Sequence, residues 1–100
     1  NEMKKEQFDV ATLKHIQNKL DYIYSISREH NHDNPLLMDT IANLTKVANM
    51  LTKCKLEELN GDPPTSSPQG YIVKNLGHSY LCIREFEKQK GNTDFPSWKL

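Results

Sequence analysis

Apolar residues recur every three or four positions along three long segments of this chain, and glycine or proline separates the segments. In the first segment the repeat runs through Leu13, Ile16, Leu20, Ile23 and Ser27. Because an α-helix turns every 3.6 residues, this spacing gathers apolar side chains on one helix face. No segment alternates apolar and polar residues for long enough to indicate a strand. We therefore predict an all-α fold of three long amphipathic helices.

Capping residues set the expected ends of these helices. Asp9 suits the N-cap of the first helix, and Asn34 followed by Pro35 suits the start of the second. Gly61 is a C-terminal stop for the second helix, and Ser67 is a candidate cap for the third. The predicted helices span about residues 10–29, 35–59 and 68–90.

The second helix carries the widest apolar stripe, which suits a middle helix with neighbours on two sides. Its stripe contains Leu37, Ile41, Leu44, Ala48 and Leu51. The corresponding face of the third helix contains Ile72, Leu76, Ser79, Ile83 and Phe86. A short first connection makes neighbouring helices antiparallel. We expect an up-down-up bundle that forms a single domain over residues 1–100.

Three stretches outside the helices complete that domain. They are an N-terminal arm, a linker rich in proline and serine, and a C-terminal tail: residues 1–8, 60–70 and 92–100. The linker prolines exclude a helix or central strand there. Phe95 and Trp98 are two aromatic residues in the otherwise polar tail, and we expect them to anchor it to the helices.

The charge balance argues against nucleic acid as a partner. Lys plus Arg and Asp plus Glu both number 13, whereas phosphate binding usually needs a basic surplus. No apolar run approaches the roughly 18 residues of a membrane span, so we expect no membrane insertion. The chain starts at Asn1 without a signal peptide, which we interpret as an excised domain or a trimmed mature protein.

The residues that most often carry chemistry lack the required spacing. Cys54 and Cys82 form no CxxC pair, and in an antiparallel hairpin their levels differ by about 13 Å, so we predict two free thiols. Free thiols favour an intracellular location, the nucleus included. His30, His32 and Asp33 share one turn, which we interpret as a solvated loop.

Catalytic signatures are also missing from the sequence. There is no paired-carboxylate arrangement, nucleophile motif or glycine-rich phosphate loop. Three helices of this size fill their own core and leave no obvious pocket for a substrate. We predict a protein that is not an enzyme and that has no catalytic residue, metal site or cofactor.

Apolar residues on otherwise polar helix faces suggest a surface for another protein. Tyr22 and Ile26 are one turn apart and lie roughly opposite the stripe of the first helix, with His15 and Lys19 beside them. Leu81 points away from the apolar face of the third helix. Either the chain's own tail covers these patches, or a partner helix or peptide docks there. These five residues are the candidate partner-binding residues.

Regularly spaced leucines in residues 37–78 carry one family resemblance. The pattern runs through Leu44, Val47, Leu51, Thr52, Leu56 and Leu59, and then Val73-Lys74-Asn75-Leu76. This pattern resembles the helical docking modules of transcription regulators, of the type found in the N-terminal domain of elongation factor S-II and the integrase-binding domain. The resemblance implies binding of short linear motifs, without catalysis. The proline-rich insert at 62–68 and the long third helix depart from the family pattern, so no binding residue is carried across.

The leading functional prediction is thus a non-catalytic protein–protein interaction module that docks a partner helix or linear peptide. Three alternatives are a secreted helical-bundle ligand of the short-cytokine kind, a small helical inhibitor or immunity protein, and a helix-turn-helix DNA-binding domain. The last would need a turn at Gly77-His78-Ser79. Since a glycine within a helix costs only about 1 kcal/mol, a continuous third helix is the simpler prediction.

Overall fold

The computed structural model describes residues 7–96, and this part of the chain contains three α-helices and no strand. The helices are α1 (Val10–Glu29), α2 (Pro35–Asn60) and α3 (Pro68–Gln89). Every predicted end lies within one residue of the observed end, and the all-α prediction is confirmed. Gly77 lies inside α3. The prediction of a continuous third helix is therefore also confirmed, and the turn required by a helix-turn-helix at this position is absent.

Side-chain and backbone caps account for the ends of α1 and α2. The Asp9 carboxylate accepts a hydrogen bond from the backbone N–H of Thr12 at 2.8 Å. The Asn34 side chain accepts from the N–H of Leu37 at 3.4 Å, with Pro35 in the first turn. Each bond satisfies an amide that has no partner within its helix. Gly61 ends α2 in the left-handed conformation, as expected for a glycine C-cap.

The start of α3 is stabilised differently from the prediction. Ser67 occupies the N-cap position, but its φ is 55° and its side chain makes no capping hydrogen bond. A capping hydroxyl normally requires an extended backbone at this position. The preceding linker is instead held by Glu57, whose carboxylate accepts from the backbone N–H of Thr65 at 3.0 Å and from its hydroxyl. Ser67 is therefore the N-cap residue, as predicted, but its hydroxyl does not cap the helix.

The second helix lies between the other two, as predicted. α1 packs on α2 and α3 packs on α2, whereas no Cα atom of α1 lies within 8 Å of one in α3 across these described helices. Arg28 pairs with Asp39, and Asp21 pairs with Asn49, so α1 and α2 run antiparallel. The result is an open arrangement of three helices, which we call the layer; it is not flat, since its extents are 53 × 34 × 32 Å. Its radius of gyration is 16.6 Å, against about 13 Å for a compact domain of this length.

The seams of this layer are built from small and polar residues. Within residues 7–96 the buried apolar residues are Leu13, Ala42 and Leu56. The buried polar residues are Ser27, Thr45, Thr52, Asn75 and Ser79. Four of these five polar side chains donate to carbonyl oxygens of their own helices, and Ser79 donates to α2. Small side chains allow the helices to approach closely, but they bury little apolar area.

Parts of the predicted core stripes are therefore exposed. Ile16 and Ile23 of α1, Leu44 and Leu51 of α2, and Ile83 of α3 are all solvent-exposed. The reason is the single layer: because α1 and α3 do not meet, the stripe on each helix is only partly covered by its neighbour. The expectation that these five residues complete a closed core is wrong.

Candidate functional site

The side of α1 that packs on α2 is offset from the predicted stripe. Its buried and half-buried positions alternate at intervals of three and four residues: Val10, Leu13, Gln17, Leu20, Tyr24 and Ser27. This is the seam expected for two antiparallel helices in contact. Ile16 and Ile23 are seven residues apart and flank the seam on one side. They are 36% and 44% exposed.

Two groups of neighbouring residues show which side of the layer is apolar. Between α1 and α2, Ile23 and Ile26 line a groove with Met38 and Ile41. On the other side, a polar depression crosses α2 from one outer helix to the other. It is lined by Gln17, Asp21, Lys46, Asn49, Met50, Lys53 and Tyr71.

The helical repeat extends the apolar side across the layer. Leu44 is three residues after Ile41, and Leu51 is seven residues after Leu44, so both share the Ile41 side of α2. On α3, Val73 and Ile83 lie on the side away from Tyr71, which marks the polar side. We name this surface the apolar face and define it by its exposed large residues: Ile16, Ile23, Leu44, Leu51, Leu59, Val73 and Ile83.

The opposite side is hydrophilic and internally paired. The Asn49 amide donates to the Asp21 carboxylate at 2.9 Å across the α1–α2 seam. The Lys46 ammonium lies 5.8 Å from the centre of the Tyr24 ring, within range of a cation–π contact. The layer thus has one side suited to water and one side that exposes large apolar residues, with Lys55 between Leu51 and Leu59 on α2.

The apolar face is comparable in extent with the largest exposed apolar patches of single domains. Leu44 and Leu59 are separated by 15 residues along α2, or about 22 Å. Packed helix axes are about 8–10 Å apart, so three helices side by side span about 18 Å between the outer axes. With the side chains included, the footprint is on the order of 600 Å². That matches the largest apolar patches of ordinary monomers, about 300–600 Å², which are often functional.

The structure brings together two of the predicted partner-binding residues. Tyr22 and Ile26 line the α1–α2 groove with Ile23, Met38 and Ile41; its volume is about 210 Å³. Tyr22 is 66% exposed at the rim, whereas Ile26 is half-buried. Ile26 is therefore not on the far side of α1, as expected from the sequence, because it shares the groove with Met38 and Ile41 of α2. We name this site the α1–α2 groove.

The remaining three candidates occupy different places. His15 and Lys19 are exposed on α1, seven residues before Tyr22 and Ile26 respectively, and so extend the groove's outer side toward the N-terminus. Leu81 is on α3 and is 57% exposed. Because α1 and α3 do not meet, Leu81 lies apart from the α1–α2 groove, and it lines a depression on α3 with Val73 and Leu76.

The C-terminal tail packs beside Leu81. Phe95 stacks under the Arg84 guanidinium, 4.8 Å from ring centre to the guanidinium carbon. The Tyr80 hydroxyl donates to the carbonyl oxygen of Pro96 at 3.0 Å. The expected anchoring by Phe95 is confirmed, and it leaves Leu81 largely exposed. Trp98 lies outside the described residues.

The cysteines and the His30–Asp33 turn are the polar groups that the sequence singled out for possible chemistry. Cys54 and Cys82 are free and half-buried. Burial, with the Asp39 charge nearby, raises the pKa of the Cys82 thiol, which keeps it protonated and weakly nucleophilic. His30 lies 3.2 Å from Asp33 in the exposed turn. Over residues 7–96 no three side chains are arranged as metal ligands.

The sequence did not reveal the apolar face itself, because its residues were assigned to the core.

No helix among the described residues combines the length and apolar character needed to cross a membrane. Comparison with known proteins finds no matching family model, no matching curated protein and no matching solved structure.

Proposed function

We propose that this chain is a non-catalytic protein–protein interaction module, and that a partner helix or short linear peptide docks in the α1–α2 groove. The observation that carries the proposal is the exposure of Tyr22 above an apolar floor formed by two helices. An aromatic rim over a narrow apolar groove is suited to an anchor side chain of a partner.

The groove residues have complementary roles in this proposal. Ile23, Ile26 and Ile41 supply apolar walls, and Met38 supplies a flexible side chain that adapts to different anchors. The Tyr22 ring adds contact area while its hydroxyl remains available for a hydrogen bond. A helical partner would present apolar side chains at intervals of three or four residues.

The charge beside the groove suggests which sequences flank those anchors. Lys19 is exposed seven residues before Ile26, on the same side of α1. A cation at this position attracts acidic residues and raises the association rate more than the final affinity. We expect partners with apolar anchors and an acidic flank.

The resemblance to docking modules of transcription regulators supports the same class of function, since those modules bind linear motifs. Regulation of transcription and an intracellular location, the nucleus included, belong to this proposal. The resemblance assigns no contact residue, so the groove is argued from its own side chains.

A peptide-display selection against the folded chain tests the proposal. We expect enrichment of peptides with apolar residues three or four positions apart, whose binding shifts the NMR signals of Tyr22, Ile26 and Met38. The double variant Tyr22→Ala/Ile26→Ala should weaken their binding by roughly tenfold or more. Leu81→Ala, which alters an exposed residue on the other outer helix, is the control and should bind normally. Unchanged binding by the folded double variant would refute the proposal.

A further inference from the structure

We infer that the C-terminal tail occupies the apolar depression on α3, and that Trp98 docks there as an intramolecular ligand. Val73, Leu76 and Leu81 line this depression around Gly77. We name it the α3 depression. Trp98 is two residues beyond the described part of the chain. The inference goes beyond the proposed function, because the α1–α2 groove involves no residue of α3.

The α3 depression has the size and lining of a binding site. Its volume is about 600 Å³, within the range of about 300–1,000 Å³ that is typical of ligand pockets. At Gly77, an added Cβ would meet no atom within 4 Å beyond the neighbouring backbone, so the surface is open there. Lys74 and His78 add polar groups to the apolar lining. Such a lining suits an indole, which has an apolar ring and a polar N–H.

The described part of the tail leads to this depression. Gly91 reverses the chain after α3, with a φ of 90°. Phe95 then stacks on the Arg84 guanidinium, and the Tyr80 hydroxyl donates to the carbonyl oxygen of Pro96 at 3.0 Å. Tyr80 itself lines the α3 depression. The tail therefore runs back along α3 and reaches the edge of the depression at its last described residue.

The tail already contacts the side of α3 on which the depression lies. Leu81 lines both the α3 depression and the neighbouring one that Phe95 lines with Arg84. Val73, Gly77, Leu81 and Arg84 follow one another at intervals of four, four and three residues, which places them on one side of the helix. A segment that continues along this side passes from Arg84 across Leu81 to Gly77.

The distances along the helix and the tail bring Trp98 to the depression. Two extended residues span about 7 Å, so the Trp98 Cα reaches up to that far beyond Pro96. Gly77 is three residues before Tyr80 on α3, or about 4.5 Å along the axis. Trp98 is also the one aromatic residue among residues 97–100.

Tethering favours the tail over a separate ligand. Because the Pro96 carbonyl oxygen is already held at the edge, docking of Trp98 requires the ordering of only two further residues. A short tether also gives the indole a local concentration in the millimolar range. The tail thus keeps the α3 depression closed to apolar molecules that bind weakly.

The fluorescence of the unaltered chain tests the inference, because Trp98 is its single tryptophan. We expect the folded chain to emit at shorter wavelength than the urea-unfolded chain and to be quenched less by acrylamide, at any chain concentration. NOE contacts should join the indole to the methyl groups of Leu76 and Leu81. Emission and quenching equal to those of the unfolded chain would overturn the inference. Indole contacts confined to other surfaces, or seen only between ¹³C-labelled and unlabelled copies, would also overturn it.

A double-mutant cycle measures the same contact through stability. Val73 and Ile83 are both on α3 and both 37% exposed, and Val73 lines the α3 depression whereas Ile83 does not. Val73→Ala and Trp98→Ala should be non-additive in urea unfolding, with a coupling of at least about twofold in the unfolding equilibrium constant. Ile83→Ala is the matched control and should combine additively with Trp98→Ala. Additive effects in both pairs would overturn the inference, and peptide binding in the α1–α2 groove would still support the proposed function.

Discussion

The hydroxyl of Ser79 on α3 donates a hydrogen bond to the backbone carbonyl oxygen of Thr40 on α2, 2.8 Å away. Ser79 is buried in the seam between the helices. A directional bond at a buried position sets how far α3 slides along α2, which a stripe of leucines alone would not do. This bond therefore helps to set the positions of Val73 and Ile83 along the apolar face.

Replacing Ser79 with alanine should lower the free energy of unfolding by about 1 kcal/mol, the usual net value of a hydrogen bond. Ser25→Ala is the matched control, because its hydroxyl donates to the Tyr22 carbonyl oxygen within an exposed part of α1. The control should change stability by less than about 0.5 kcal/mol. Urea unfolding at one fixed chain concentration measures both values. Equal effects would show that the bond between helices contributes nothing specific.

The Glu57–Thr65 contact should make stability depend on acidic pH. Hydrogen bonds from the Thr65 hydroxyl and backbone N–H lower the pKa of the Glu57 carboxyl below its ordinary value of 4.5. A lowered folded-state pKa stabilises the fold fully above the unfolded value, and this contribution is lost as pH falls through the folded value.

Glu57→Gln should therefore remove part of the stability loss seen below pH 4.5. Thermal unfolding of both proteins from neutral to acidic pH measures this, and an NMR titration of the Glu57 carboxyl gives its pKa directly. Glu85→Gln, an exposed carboxylate on α3, is the control. If Glu57→Gln left the acid limb of the stability curve unchanged, the contact would not hold the linker in solution.

The ends of the helices could be predicted because they depend on local chemistry. Asp9, Asn34 and Gly61 act on amides and carbonyls within four residues of themselves, so their effects are visible in sequence. The central place of α2 also followed from its wide stripe. Ser67 is at the predicted N-cap position, but its side chain makes no capping bond because its φ of 55° is not the extended conformation that such a bond requires.

Which part of each stripe is covered could not be predicted in the same way. Helical periodicity places Leu13 and Ile16 on one broad face. Leu13 is buried against α2 and Ile16 stays exposed, and this difference depends on how the helices pack. The pairing of Tyr22 and Ile26 in one groove was predictable because they are one turn apart. The separation of Leu81 from them was not, since it depends on whether α1 and α3 meet. One sequence signal did point to an open layer: Thr45, Thr52 and Ser79 occupy seam positions that leucine would fill in a closed core.

Asp39 should link α1 to α2 with an effect that depends on salt. Its carboxylate accepts from the Arg28 guanidinium at 2.7 Å and from the Asn31 amide at 2.8 Å. Both members of the ion pair are more than a third exposed, so water screens much of the attraction. We expect Asp39→Ala to lower stability by about 0.5 kcal/mol, and by less in 1 M salt. Urea titrations at the two salt concentrations measure the difference, and an unaltered effect at high salt would exclude an ionic origin.

Two glycine-to-alanine substitutions should change stability in opposite directions. Beyond the neighbouring backbone, an added Cβ at Gly61 or at Gly77 would meet no atom within 4 Å, so neither substitution creates a clash. Gly61 has a φ of 71°, which alanine adopts at a cost of about 1 kcal/mol. Gly77 lies within α3, where alanine is favoured over glycine by up to about 1 kcal/mol. Gly61→Ala should therefore destabilise and Gly77→Ala should stabilise the protein in thermal unfolding. A shift of Tm in the same direction for both would show that α2 does not end in a left-handed cap or that α3 is not continuous through residue 77.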